Sequence, residues 1–161
     1  MENKIRIQRS QEDLYRINIA DDGTEIVFDL ADINLPFRCE KVFRDVNRNA
    51  QIVQGKIKAL QNQVKEEKKD TSLFDSVDMQ IFRIYKEMFD KNRELMDEFF
   101  GCPGAMQKLF GDANYIDMYD DLFTQLEPHF EAMKLNVNGI KERLSKKYRK
   151  QRNNVLKADD E

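Results

Sequence analysis

Apolar and polar residues alternate with period two through Leu14-Tyr15-Arg16-Ile17-Asn18-Ile19 and, less strictly, through Glu25-Ile26-Val27-Phe28-Asp29-Leu30. Between them Ala20-Asp21-Asp22-Gly23-Thr24 supplies turn residues, so the pattern predicts a β-hairpin. Lys4-Ile5-Arg6-Ile7 alternates in the same way and is a candidate third strand. A lone two-stranded hairpin is marginal in water. This one is therefore expected to lie on a helical body or to pair with another sheet edge.

After Leu35-Pro36 the period lengthens. Val46, Ala50, Val53, Ile57, Leu60 and Val64 recur at intervals of four and three, which places them on one stripe of a helix that starts near Pro36 and ends in the charged stretch at residues 65–70. A stripe this narrow suits a seam between helices, and Val46, Val53, Ile57 and Leu60 are the expected self-association surface. A second helix is signalled by Ser72 or Asp75 as caps and by Val77, Ile81, Ile84, Tyr85, Met88, Leu95, Met96, Phe99 and Phe100, up to Gly101-Cys102-Pro103-Gly104. Its broad aromatic face is the expected centre of the core. A short helix at residues 105–110 closes at Gly111. Asp112-Ala113-Asn114 then offers caps for a last long element carrying Ile116, Tyr119, Phe123, Leu126, Phe130, Met133, Val137, Ile140, Leu144 and Tyr148, which Pro128 is expected to divide or kink. The expected fold is mainly α: an elongated helical bundle with an N-terminal β-hairpin. Residues 1–35 form the hairpin lobe, 36–150 the helical body and 151–161 a flexible charged tail.

Composition narrows the classes. The chain has 161 residues, enough for one domain with a core that needs no disulfide or metal. Charged residues reach 35%, above the usual quarter, which favours long helices with wide solvated faces. The two cysteines, Cys39 and Cys102, lack paired spacing, and no apolar run approaches the ~20 residues of a membrane helix, so a reducing cytoplasmic setting and no membrane partner are expected.

Candidate chemistry is sparse. Cys102 precedes a short helix whose N-terminus favours a thiolate, and His129 is the one base available to it, but the ordinary reading is a small residue at a helix junction. Asp117, Asp120 and Asp121 share a helix face, yet acids in a first turn complement the helix dipole, and a helical face does not wrap a cation. No catalytic residue, metal ligand or cofactor is assigned, and the chain is read as a non-enzyme. The aromatic density at Phe99, Phe100, Phe110, Tyr115, Tyr119, Phe123 and Phe130 reads as core, with some part of it a candidate docking groove.

The sharpest feature is a charge asymmetry. Residues 112–131 hold six acids and no Lys or Arg, whereas residues 141–157 hold eight bases against Glu142. Cations at a helix C-terminus complement its dipole, and a basic helix also meets the electrostatic need of an acidic partner or of phosphates. With the rest of the chain acidic and only Tyr148 as an aromatic within the run, a protein partner is favoured over nucleic acid. The expected partner-binding residues are the apolar anchors Ile140, Leu144 and Tyr148 with Lys141, Arg143, Lys146 and Lys147 around them. A helical nucleic-acid-binding protein acting through the same bases is the alternative.

Two segments taken together, Phe28-Asp29-Leu30-Ala31-Asp32-Ile33-Asn34-Leu35-Pro36-Phe37-Arg38-Cys39 and residues 99–115 (FFGCPGAMQKLFGDANY), resemble tail assembly chaperone-type proteins of long-tailed phages and prophages of Gram-positive bacteria. The resemblance implies a small, mainly helical, self-associating protein of the host bacterial cytoplasm. Such a protein binds the tape measure protein and assists assembly of tail-tube protein around it. The hairpin and the basic C-terminus carry no motif of that family.

Overall fold

The computed structural model of the chain describes residues 3–63 and 73–159, with side chains for all of these except 135–137 and 150–159. Val64, the charged stretch at residues 65–70 and the Ser72 cap fall outside the described residues, and the Val137, Arg152 and Lys157 side chains are likewise not described. The fold is mainly helical, with a two-stranded antiparallel N-terminal hairpin and, among the described residues, four α-helices. Strands β1 (Leu14–Asn18) and β2 (Glu25–Asp29) are followed by α1 (Leu35–Gln63), α2 (Ser76–Phe100), α3 (Ala105–Phe110) and α4 (Met118–Asp159). Among the described residues no helix is long and apolar enough to cross a membrane.

Two compact units divide the chain. One comprises Met1–Arg16, Val27–Leu35 and Asp117–Glu161, the other Ile17–Ile26 and Pro36–Ile116. The hairpin contributes residues to both. Its register follows from two backbone bonds: the Ile19 N–H donates to the Thr24 carbonyl at 3.0 Å and the Leu30 N–H to the Asp13 carbonyl at 2.8 Å. Tyr15 therefore stands opposite Phe28, and Ile17 opposite Ile26, on one face of the ladder. Gly23 closes the turn at φ 85°, where its amide donates to Ala20, a left-handed position that residues with a Cβ rarely adopt. The expected third strand is not formed: the described sheet has two strands, and Ile5 and Ile7 are 90% and 87% exposed.

In the second unit α1 and α2 lie side by side and antiparallel, as their cross-links show. The Arg38 guanidinium donates to the Phe99 carbonyl, Lys41 meets Glu98 at 3.5 Å, Asn49 Nδ2 donates to Asn92 Oδ1 at 2.9 Å, and Lys56 approaches Glu87 at 3.9 Å. Arg38 thus satisfies a carbonyl that the end of α2 leaves without an intrahelical partner and sets a cation at the negative end of the helix dipole. Asp75, one of the two expected caps, accepts the Asp78 N–H at 2.7 Å and starts α2. Gly101 ends it in the left-handed conformation, with the Cys102 N–H reaching back to Asp97 O and the Gly101 N–H to Glu98 O, a Schellman-type closure. The Asp97 carboxylate then accepts the Gly104 and Met106 amides and seats α3. Met96, Phe99, Phe100, Ala105 and Met106 are all buried, which places the centre of this unit's core at the aromatic end of α2, where the breadth of the apolar face predicted it.

Among the described side chains of α4, Met118, Leu122, Leu126 and Met133 are buried, at intervals of four and seven on one helix face. Pro128 does not divide the element. The helix runs from Met118 to Asp159 through it, at the cost of one i to i−4 bond. Nor does Asn114 cap it: its carbonyl oxygen accepts from Arg93 Nε at 2.8 Å and its amide donates to Asp90 at 3.1 Å, tying the segment before α4 to α2.

Candidate functional site

The second half of α4 holds the predicted partner-binding residues. At about 100° of turn per residue, Ile140 and Leu144 continue the face that buries Leu122, Leu126 and Met133. Here, though, both are only half-buried. Tyr148 lies at the margin of the same face and is 60% exposed. Lys141 and Lys147 flank this apolar strip on its two sides and are exposed, as α-helical geometry requires for residues one and three positions from its members. Lys146 is exposed too, but sits about 160° around the helix from Leu144 and shares no surface with the strip. Arg143 is engaged within its own unit: one of its guanidinium N–H groups donates to Asp13 Oδ1 at 2.9 Å, against a carboxylate whose side chain is only 13% exposed. The structure therefore brings together Ile140, Leu144, Tyr148, Lys141 and Lys147, and gives Arg143 a cis partner.

The first half of α4 is anchored differently. The Tyr15 hydroxyl and His129 Nδ1 are 2.9 Å apart, with the rings edge-to-face at 5.7 Å. His129 is thereby occupied by a tyrosine of its own unit. Elsewhere in this unit Arg9 ties the N-terminal segment to the end of β2, donating from Nε and a terminal nitrogen to both Asp29 carboxylate oxygens at 2.7 and 2.9 Å. That bidentate bond holds the Asp29 carboxyl below the usual carboxylate range. In the other unit the Lys108 ammonium and the Thr24 hydroxyl and amide depress Asp22 strongly, joining the hairpin turn to α3. Burial pushes the Cys39 thiol up, which disfavours the thiolate. Cys102 is half-buried. Among the described residues no group of three or more His, Cys, Asp or Glu is arranged to hold a metal.

No protein-family model, curated protein or solved structure matches the chain.

The self-association stripe lands in a different setting from the one its narrowness implied. Val53 is 4% exposed, Val46, Ile57 and Leu60 are half-buried, and the α1 residues interleaved with them meet α2. At Val53 the seam is an intrachain one, so this residue is not available to a second copy. A groove between α1 and α2 is lined by Asp45, Arg48, Asn49, Lys91, Glu94 and Leu95 among others, charged and apolar side chains together. Of the aromatic cluster, Phe99 and Phe100 are buried, Phe110, Tyr119, Phe123 and Phe130 half-buried, and Tyr115 is 40% exposed. The larger exposed apolar side chains include Leu73, Phe74 and Phe82, the last two packed edge-to-face at 5.5 Å. The Asn49–Asn92 pair was missed, although an asparagine inserted between Val46 and Val53 was a visible signal.

Proposed function

We propose that the protein is a non-enzymatic binding protein whose partner-facing surface is the strip Ile140, Leu144 and Tyr148 with Lys141 and Lys147 beside it. The observation that carries this reading is the change along one face of α4, from buried at Leu122, Leu126 and Met133 to half-buried or exposed at Ile140, Leu144 and Tyr148. An apolar strip left partly in water and bordered by cations fits a second amphipathic helix, whose apolar anchors would supply affinity and whose acids would set register. The resemblance to tail assembly chaperone-type proteins narrows the partner to a tape measure protein, a long helical chain whose apolar stripes need cover before tail-tube protein closes around it in the host cytoplasm.

The test is binding of the full chain to the protein encoded beside it, measured between about 50 and 200 mM salt. Helix-on-helix binding weakens modestly over that range, whereas several phosphate contacts would cost orders of magnitude. Leu144→Ala with Tyr148→Ala is expected to weaken the protein complex by about thirtyfold or more, the cost of removing two anchors worth about 1 kcal/mol or more each. Tight sequence-independent binding of DNA or RNA with a steep salt slope, abolished by Lys146→Glu plus Lys147→Glu, would favour the nucleic-acid alternative.

A further inference from the structure

Helix α1 carries a second stripe, outside its seam with α2, that the partner reading does not use. Phe37, Lys41, Arg44, Arg48 and Ile52 recur at intervals of four, three, four and four. They lie within about 80° of one another, centred about 140° around the helix from the buried Val53. All five are exposed, Phe37 at 67% and Ile52 at 45%. The stripe belongs wholly to the second unit, so it is independent of the strip on α4. Glu40 and Asp45 lie beyond its two margins, and no acid lies on it. We infer that this face docks an amphipathic helix of another protein, one that offers acids to the three cations and apolar side chains to Phe37 and Ile52.

The fold does not account for the cations. Lys41, Arg44 and Arg48 share the Asp45 carboxylate, at 3.8, 3.6 and 3.9 Å, and that side chain is only 19% exposed. Lys41 also meets Glu98 at 3.5 Å. These contacts are longer than hydrogen bonds, and exposed ion pairs of this kind add little to stability. One recessed carboxylate under three cations leaves the stripe positive, which an acidic partner complements. The spacing decides the partner's shape. Intervals of three and four are those of a seam between helices, where polar positions at the centre fix register and partner choice. Gly55 and Ala59 prolong the stripe at the same spacing, and nothing lies within 4 Å of the position a Cβ would take on Gly55, so a helix backbone can come close there. A phosphate chain would find neither charge nor a ring to stack on at Ile52, Gly55 and Ala59. A second copy seated face to face would set Lys41 against Arg48 if antiparallel and each cation against itself if parallel, and like charges oppose both.

The test uses the full chain and a synthetic helix-forming peptide that repeats the spacing from Phe37 to Ile52. It has Leu at the two apolar positions, Glu at the three cationic ones and Ala and Gln between, and is made in both sequence orders. A control peptide has Lys in place of Glu. In an NMR titration the Glu peptide should shift α1 amides around residues 37–52, and the Lys peptide should not. Shifts around Ile140 to Tyr148 would report the α4 strip separately, so either surface can fail without the other. Arg44→Glu with Arg48→Glu should weaken Glu-peptide binding to α1 by about tenfold or more and give the Lys peptide binding there. Arg44→Gln with Arg48→Gln sets no new charge beside Asp45 and should weaken the Glu peptide in the same direction, which keeps the test decisive if the reversed variant fails to fold. No shift on α1, equal binding of the two peptides there, or affinity indifferent to the arginine variants would overturn the inference. So would a single-stranded DNA oligonucleotide that shifts the same amides with a steep salt slope, which would give the face to phosphates. A dimer in sedimentation that the glutamine variants dissociate would give it to a second copy and overturn the inference equally.

Discussion

Replacing Asn92 should cost more than a single surface hydrogen bond and less than a large core side chain. Asn92 is 3% exposed in the middle of the α1–α2 seam and accepts a 2.9 Å bond from Asn49 Nδ2. A satisfied hydrogen bond contributes about 0.5–1.5 kcal/mol net, whereas a buried donor left without an acceptor costs about 1–3 kcal/mol. Asn49 is half-buried and recovers part of its hydration, so Asn92→Ala should destabilise by about 2 kcal/mol. At about 2–4 °C per kcal/mol for a chain of this size, the melting temperature should fall by about 4–8 °C. Asn92→Leu combined with Asn49→Leu removes both polar partners and buries apolar surface instead, and should lie within about 1 kcal/mol of wild type. The purchase is unspecific, because a buried polar pair penalises shifted helix registers that an all-apolar seam tolerates. Urea unfolding followed by circular dichroism at 222 nm measures all three proteins. A cost below about 0.5 kcal/mol for Asn92→Ala, or a double leucine variant as unstable as the alanine one, would refute the reasoning.

Other outcomes follow from single contacts. Phe100 is 1% exposed at the aromatic end of α2, so Phe100→Ala should cost about 3–5 kcal/mol in the same urea experiment. Asp29 is depressed by Arg9, so its contribution to stability is complete above the ordinary carboxylate pKa of about 4 and is lost as pH falls through the lower folded value. An NMR pH titration should place the Asp29 midpoint below that of a free aspartate and return it upward in Arg9→Ala; an unchanged midpoint would contradict the bidentate pairing. Cys39, with its thiol pushed up by burial, should alkylate more slowly at neutral pH than the same cysteine in urea-unfolded chain.

The hairpin and the helices were legible because their periods differ: two through Ile17 and Phe28, between three and four after Pro36. The Asp75 cap and the Gly101 stop were legible for the same local reason, since each acts on backbone groups within a few residues of itself. What local pattern does not encode is which surface covers a stripe. Val53 reads identically whether α2 or a second copy lies against it, and only the antiparallel contacts at Asn49 and Lys56 decide. Lys4-Ile5-Arg6-Ile7 has strand periodicity without a strand, because alternation describes a half-buried strand only where a neighbouring edge exists to pair with it. Pro128 does not split α4, for a related reason: one missing helical bond is outweighed where Leu126 and Met133 on either side are buried on the same face. On the candidate surface, spacing located Ile140, Leu144 and Tyr148, but the capture of Arg143 by Asp13 depends on residues 130 positions apart.

The fading of burial along α4 also bears on how the helix is kept wound. Up to Met133 its turns are clamped by packing, but around Ile140 to Arg149 the described side chains are half-buried or exposed, and beyond the Arg143–Asp13 bond winding there rests more heavily on intrinsic propensity. That propensity is uneven: Lys, Arg and Leu support it, while Asn138 and Gly139 interrupt it by up to about 1 kcal/mol each. Backbone amides on the two sides of residue 138 should therefore exchange with solvent at different rates, the later ones faster. Any molecule that covers Ile140 and Leu144 supplies the packing that the chain itself withholds, so occupancy would be readable as slowed exchange over those turns. The basic end of α4 would then report its own binding through a gain in helical order, and substitutions such as Gly139→Ala would raise affinity without touching the ligand, by settling part of the ordering cost in advance.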